Sequence, residues 1–577
     1  MNYRHWHSFK QSANGGRKHW LQALALSCLS TIFTAMPAFG AERISFSSGW
    51  GEFSISVASL DAYARTGKKD NELAFYAQHI KPQELVQLRK ILQYRIKLSS
   101  VTVAQFLYSS MGVKMLQFLG DLVKMDSQQN GFYALRSALI LAAADKQGIT
   151  ALEVIKKFPS PTIRINSTLA FEIVGAFDQL IDKTDKVTAL VEQQSQIEAT
   201  ASSPVNPTQP LDLQQPGKVQ WHKQTLVFHD RIRSRSLKAD LYLPQLPTPA
   251  PVLVISHGVG SDRTDFADLA QHLASHGFAV ASLEHPGSNG QQLQSLFQGT
   301  AKEVVETEEF INRPKDVSYL LDELERLSQS HPRMQGRLNL QQVGMLGHSF
   351  GGYTALALAG AQLNFEQLEQ ECRVDNSNLN AANVSLLLQC LALNLPDKTS
   401  YHLQDKRIQA VLAMKPFSSG IFGQKGLRQI QVPVMLIAGS NDVVTPAVVE
   451  QICPFSWLSS SDKYLVLMQN GTHVFDNQEF ANRTFPIPGQ LAHPHPALAR
   501  RYLKAMSLAF AKTYVAGQLQ YREYLNPSYI KALSQPPLPL FLVRSLTTTQ
   551  LSQTQNLSCP GSQNFSSPEK PKIQNLE

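Results

Sequence analysis

Val343-Gly344-Met345-Leu346-Gly347-His348-Ser349-Phe350-Gly351, running on into Tyr353-Thr354-Ala355-Leu356-Ala357-Leu358, decides the fold. A short apolar run reads as a buried strand, and the Ala/Leu-rich segment after it reads as a helix. Between them lies G-x-S-x-G, a pattern whose glycines let neighbouring segments pass without a Cβ clash while the serine takes a strained backbone conformation. The hydroxyl of Ser349 is therefore expected to stand at the top of a sheet.

Serine is a poor nucleophile until an imidazole takes its proton and a carboxylate fixes that imidazole. In this arrangement the acid and then the base follow in chain order, each at the end of a later strand. Val432-Pro433-Val434-Met435-Leu436-Ile437-Ala438 reads as such a strand and opens into Gly439-Ser440-Asn441-Asp442, which makes Asp442 the acid. Tyr464-Leu465-Val466-Leu467-Met468 reads as the next and opens into Gly471-Thr472-His473, which makes His473 the base. Asp316 is a rival acid, but it follows Pro314 in an expected first helical turn, where the helix dipole favours a carboxylate without any catalytic role.

Acyl transfer also needs donors for an oxyanion. The N–H of Phe350, directly after the serine, is one. Val252-Leu253-Val254-Ile255-Ser256 is an apolar strand that runs into His257-Gly258-Val259-Gly260, so the N–H of Val259 is the second.

Several of these stretches resemble one family. Ser256-His257-Gly258-Val259-Gly260, Arg263-Thr264, Leu273 to Val280, Glu284-His285 and Gly347 to Gly352 are similar to the dienelactone-hydrolase-like and platelet-activating-factor acetylhydrolase group of α/β-hydrolases, over about residues 220 to 520. The resemblance implies ester hydrolysis by a Ser-His-Asp triad with Val259 and Phe350 at the oxyanion. Dienelactone hydrolases use a cysteine nucleophile, whereas position 349 is serine, which favours a carboxylester substrate. A second likeness, carried by Ser54 to Val57, Glu72 to Tyr76 and Gly131 to Arg136, is to the N-terminal domain of unknown function in exported bacterial α/β-hydrolases.

The chain has 577 residues, enough for two folded units and tails. Arg17-Lys18-His19, the apolar stretch Trp20 to Met36 and Ala38-Phe39-Gly40 form a secretory signal pattern, so residues 1–40 are expected to be removed. Cys28 lacks the flanking small residue of a lipoprotein box. Removal lowers the formal net charge from +8 to +4. Without a Lys/Arg stripe interleaved with aromatics, nucleic acid is not an expected partner. Of the remaining cysteines, Cys372 and Cys390 share one insertion and either close a local loop in an oxidising compartment or stay as thiols. His493-Pro494-His495-Pro496 reads as an extended loop, and no metal or organic cofactor is implied.

Residues 41–192 read as a mainly helical domain after a hairpin near Gly49-Trp50-Gly51, with Leu85, Leu88, Ile91, Leu92 and Ile96 on one stripe and Phe75, Tyr76 and Phe132 as core. Pro204, Pro207, Pro210 and Pro216 mark 193–217 as a linker. Residues 218–533 read as a doubly wound α/β catalytic domain, since strands alternating with helices require right-handed crossovers. Within it 362–407 is a candidate lid carrying Leu386-Leu387-Leu388 and Leu391. Residues 534–577, rich in Ser, Gln and Pro, read as a disordered tail.

The expectation is an exported serine carboxylester hydrolase, periplasmic or secreted. Its alternatives are a phospholipase or lipase of acetylhydrolase type, with lipid ester as substrate and contact with a membrane surface, and an inactive hydrolase scaffold that binds a partner. The sequence does not fix an oligomeric state.

Overall fold

The computed structural model describes residues 40–48, 51–201, 212–373, 382–475, 493–554 and 559. The signal pattern at 1–39, the hairpin turn at 49–50, the proline-rich part of the linker at 202–211 and residues 560–577 lie outside them. Among the described residues no helix is long and apolar enough to cross a membrane.

The chain divides into two compact units, one from residues up to Lys97 together with Val123–Ile165, the other from Leu98–Leu122 together with Asn166 onward. In the first, β1 (Arg43–Ser48) and β2 (Gly51–Ser56) pair antiparallel, as the alternating sequence requires. β3 (Val123–Lys124) and β4 (Thr162–Ile165) complete a sheet of order β2-β1-β4-β3 that the helical reading did not foresee. Tyr63, Leu73 and Leu85 form a small core beside Ile55. Leu85 and Leu92 of the helix Pro82–Gln93 are buried, but Ile91, Ile96 and Phe75 are exposed, so the expected stripe is narrower than the apolar residues suggested.

The second unit takes more of the chain than the expected 218–533. It includes the helices Ser100–Tyr108 and Ser110–Leu122, which fall within the span 41–192 that reads as the N-terminal domain. Ser110 Oγ donates to Glu303 at 2.7 Å and Lys114 Nζ to the carbonyl of Cys390 at 3.1 Å, which tie them to the larger unit. Ser167–Ala201 is one continuous helix, running through residues read as linker because Gln, Glu and Ala are good helix formers. Leu180, Val187 and Val191 put its apolar side into the main core.

The larger sheet has nine strands in the order β13-β12-β11-β10-β9-β7-β8-β6-β5. These are β5 (Trp221–Asp230), β6 (Arg235–Pro244), β7 (Ala250–Ser256), β8 (Ala279–Glu284), β9 (Leu338–His348), β10 (Ile408–Met414), β11 (Val434–Gly439), β12 (Lys463–Met468) and β13 (Leu540–Val543). Strands β8, β7, β9, β10, β11 and β12 run parallel; β6 and β13 run against them, and edge strand β5, paired antiparallel with β6, runs with them again. Each strand serves two cores because side chains alternate across a sheet. Val252 and Val254 face the layer containing Phe350 and Leu320, whereas Leu253 and Ile255 face the one containing Leu273 and Tyr502. The expected tail is a correction: Leu540, Leu542 and Val543 are buried in the sheet, a helix covers Thr548–Gln553, and Cys559 bonds to Cys453. Chain order reverses at β7, with β8 on one side and β9 on the other, so the strand tips there open the crevice where α/β sheets bind ligands.

Candidate active site

Ser349 sits between the end of β9 and the helix Phe350–Leu358, with φ 55° and ψ −116°, a left-handed conformation that costs a non-glycine residue energy. Its surroundings over-determine it. A Cβ on Gly347 would meet the Gly351 carbonyl at 1.9 Å, and one on Gly351 would meet the Ser256 carbonyl at 2.0 Å. The N–H of Ser349 donates to the carbonyl of Met414, at the end of β10.

His473 Nε2 lies 3.1 Å from Ser349 Oγ, and His473 Nδ1 lies 2.8 Å from Asp442 Oδ2. The three residues named from the sequence thus meet, from segments 31 and 124 residues apart along the chain. All are nearly inaccessible, with Ser349 at 7% and His473 at 8% exposure. A serine, an imidazole and a carboxylate in this sequence can generate an alkoxide-like nucleophile and later protonate a leaving group.

Asp442 is buried, which alone would raise its pKa. The charge of His473 and its hydrogen bond, the ammonium of Lys415 and the backbone N–H of Thr445 outweigh burial and hold the carboxyl below its ordinary value. Its Oδ1 accepts the N–H groups of Val444 and Thr445, both at 2.9 Å, and its Oδ2 accepts the Thr445 hydroxyl at 2.8 Å. Pro446 follows directly and closes this turn.

Asp316 is elsewhere. Fully buried, it accepts from Arg233 at 2.7 Å and from Arg235 at 2.8 and 3.0 Å, and it faces His285 Nδ1 at 3.1 Å. It belongs to an ion cluster inside the helix Glu309–Ser330 rather than to its first turn.

The two oxyanion candidates flank the serine. Phe350 is the first helical residue after Ser349, and the first N–H groups of a helix have no intrahelical acceptor. On the other side, a Cβ on Gly258 would lie 3.4 Å from Ser349 Cβ and 3.3 Å from His348 Nδ1, so the turn carrying Val259 passes in contact with the nucleophile.

Two polar residues here were not foreseen. Buried His348 places Nε2 2.9 Å from the carbonyl of His473, and burial, with His473 and Lys415 nearby, pushes its pKa well below the ordinary value. It is therefore neutral and donates that bond. Lys415, fully buried at the end of β10 with φ 46°, sets its ammonium 3.6 Å from the centre of the Phe475 ring and 3.5 Å from the carbonyl of Val474. Neither contact leaves a local sequence signal, because each joins strand ends distant along the chain.

The insertion 362–407 is held from within. Glu450, fully buried, accepts Asn383 Nδ2 at 2.6 Å, Gln389 Nε2 at 2.8 Å and the Ser418 and Ser419 N–H groups at 2.6 and 2.9 Å. Cys372 and Cys390 are bridged. Leu386, Leu388 and Leu391 are buried, Leu391 within the main core, and Leu387 is half-buried. Residues 374–381 lie outside the described residues. His493, of the His-Pro-His-Pro loop, is buried, and burial pushes its pKa down to about 3. Among the described residues no group of three or more His, Cys, Asp or Glu side chains is placed to hold a metal ion.

Residues 40–166 match the family model described as an α/β-hydrolase of unknown function (DUF1400), and residues 247–369 match the one described as serine aminopeptidase, S33. The second match contains Val259, Ser349 and Phe350 and stops before Asp442 and His473, whose pairing rests on the geometry. Curated relatives include the platelet-activating factor acetylhydrolases of Canis lupus familiaris, 27% identical, Cavia porcellus, 28%, and Bos taurus, 24%. Each match covers 18% of this chain and 31% of the relative, so it spans about a third of those proteins.

Proposed function

From a chain that is an α/β-hydrolase in fold and a serine hydrolase by its matches, we propose a carboxylester hydrolase that works through an acyl-enzyme on Ser349. The observation that carries this reading is the continuous contact from Ser349 Oγ through His473 to Asp442. In the proposed cycle Ser349 Oγ attacks the ester carbonyl while His473 Nε2 takes its proton. Asp442 keeps the proton-bearing Nδ1 fixed and stabilises the imidazolium, and the N–H groups of Val259 and Phe350 hold the oxyanion. His473 then protonates the departing alkoxide, and a water deprotonated by the same imidazole releases the acid.

The substrate class rests on the acetylhydrolase relatives, whose name denotes removal of an acetyl group from platelet-activating factor; a lipid ester is the finer form of the proposal. The aminopeptidase description supports a second reading, cleavage of an amide at the same serine. Export to the periplasm or beyond is proposed on the signal pattern together with the Cys372–Cys390 and Cys453–Cys559 bridges, which persist in oxidising compartments.

One panel tests the chemistry: p-nitrophenyl esters from acetate to laurate, aminoacyl p-nitroanilides and a fluorophosphonate label. Ester turnover with labelling of Ser349 is the expected result. Turnover of anilides alone would replace the ester reading by the amide one, and absence of labelling would leave the inactive scaffold.

A further inference from the structure

The turn after β7 is fastened from beneath by buried polar groups that the proposed cycle does not use. Across a trans peptide the carbonyl of one residue and the N–H of the next point in opposite directions. Whatever holds the carbonyl of Gly258 therefore sets the direction of the Val259 N–H. That carbonyl lies 2.7 Å from His257 Nδ1 and 3.4 Å from Arg313 Nη2, while Arg313 Nη1 donates to the carbonyl of His257 at 2.7 Å.

The donor on His257 is fixed by its other nitrogen. His257 Nε2 accepts the backbone N–H of His285 at 3.0 Å, so a neutral ring carries its proton on Nδ1, facing Gly258. Arg313 is equally constrained: Nε donates to Ser288 Oγ at 2.8 Å, and the guanidinium stacks 4.3 Å from the centre of the Phe350 ring. Ser288 in turn accepts the N–H of Gly260 through its carbonyl at 2.8 Å. Arg313 and Ser288 are fully buried, and His257 is 1% exposed. One guanidinium thus touches both sides of the oxyanion site, the carbonyls behind Val259 and the ring of Phe350. Burying an arginine this deeply is costly unless its donors are used.

We propose that Arg313 and His257 are positioning residues that aim the Val259 N–H at the oxyanion formed when Ser349 is acylated. The inference rests on the Ser349 reading and adds a function to residues that never touch substrate. A donor whose direction has drifted stabilises the tetrahedral intermediate less, while ground-state binding of the ester is little changed.

The test compares wild type with Arg313→Met and His257→Ala, and uses His257→Asn as the conservative variant, since an asparagine amide can reach the Gly258 carbonyl. Fluorophosphonate titration first counts working sites, so that lost folding is separated from lost rate. Per titrated site, kcat for p-nitrophenyl acetate is expected to fall about ten- to a hundredfold, less than the full loss of one oxyanion donor. KM should stay within about threefold, and phenylboronic acid, which forms a tetrahedral adduct on serine, should bind more weakly by a factor similar to the kcat loss. His257→Asn should recover most of the rate. Where Arg313→Met fails to fold, the two His257 variants carry the same comparison.

Variants that keep wild-type kcat per titrated site while losing only folded fraction would make these groups structural and overturn the inference. A wild type that labels but leaves esters untouched removes only the ester reading, and labelling rates then replace kcat. A wild type that does not label removes the Ser349 reading and the inference with it.

Discussion

His348 donates its Nε2–H to the main-chain carbonyl of His473 at 2.9 Å, so the residue just before the serine holds in place the residue just behind it in the relay. This bond spans 125 residues and joins the end of β9 to the loop that follows β12. Because a carbonyl only accepts, this bond fixes the proton of the buried, neutral His348 ring on Nε2.

His348→Ala is expected to lower kcat about tenfold or more by freeing the His473 loop, since small misplacements of a base are costly. His348→Gln, whose amide nitrogen can occupy the Nε2 position, should retain most activity. Steady-state kinetics on a short ester check this; equal activity in both variants would show that the loop is held by its other contacts.

For the relay itself, Ser349→Ala or His473→Ala should lower turnover by about 10⁶ and Asp442→Asn by about 10⁴, with folding intact, by the behaviour of measured triads. Asp316→Asn should act differently. It leaves Arg233 and Arg235 short of a buried partner, which costs about 3–5 kcal/mol of stability. Paired kinetics and denaturant melts separate the two aspartates: a stable but inactive Asp316→Asn beside an active Asp442→Asn would reverse the assignment.

Asp442 also makes a prediction about acid stability. Its carboxyl is held below the ordinary value in the folded protein, so as pH falls the unfolded chain takes up the proton first. The contribution to stability is complete above the unfolded value, about 3.9, and is lost as pH falls through the folded one. The difference in Tm between wild type and Asp442→Asn should be level from pH 7 to about 5 and shift against the wild type below about 4. A difference that stays constant to pH 3 would show no proton linkage at this residue.

The strand ends were legible because a buried parallel strand is a short apolar run with the candidate residue just past it. Ser349, Asp442 and His473 obey that rule, and so does the turn at Val259. What failed was the assignment of partners. The stripes on Ser100–Tyr108, Ser110–Leu122 and Ser167–Ala201 announce burial but not which core receives them. Leu540–Val543 is only four residues long in a Ser/Gln/Pro-rich stretch, and its partner β12 lies some seventy residues upstream, so composition outweighed the apolar signal. Cys559 pairs with Cys453 across 106 residues, a separation no local spacing encodes. The His348 and Lys415 contacts were hidden for the same reason.

The insertion 362–407 poses the last question, whether it opens. Glu450 takes hydrogen bonds from Asn383 and Gln389 of the insertion and from the N–H groups of Ser418 and Ser419 where the next helix begins. Lifting the 383–389 segment would strip a buried carboxylate of the donors of Asn383, Ser385 and Gln389, each bond to a charged group being worth about 1.5–3 kcal/mol. The segment is therefore a fixed wall of the insertion, and any acyl-chain selectivity it confers would come from its shape rather than from its motion. Glu450→Gln puts an amide donor among groups that are themselves donors and should cost about 3 kcal/mol or more. It should also speed proteolysis between Asn383 and Asn394 and change the rate ratio of decanoate to acetate esters. Leu391→Ser, which places a hydroxyl in the core, should lower Tm without a selective effect on long chains, whereas half-buried Leu387→Ser is the substitution that can alter chain-length preference. Limited proteolysis, thermal melts and the ester panel read these outcomes together. An unaltered Tm and cleavage pattern in Glu450→Gln would mean that the wall is held by the Cys372–Cys390 bridge and the buried leucines instead.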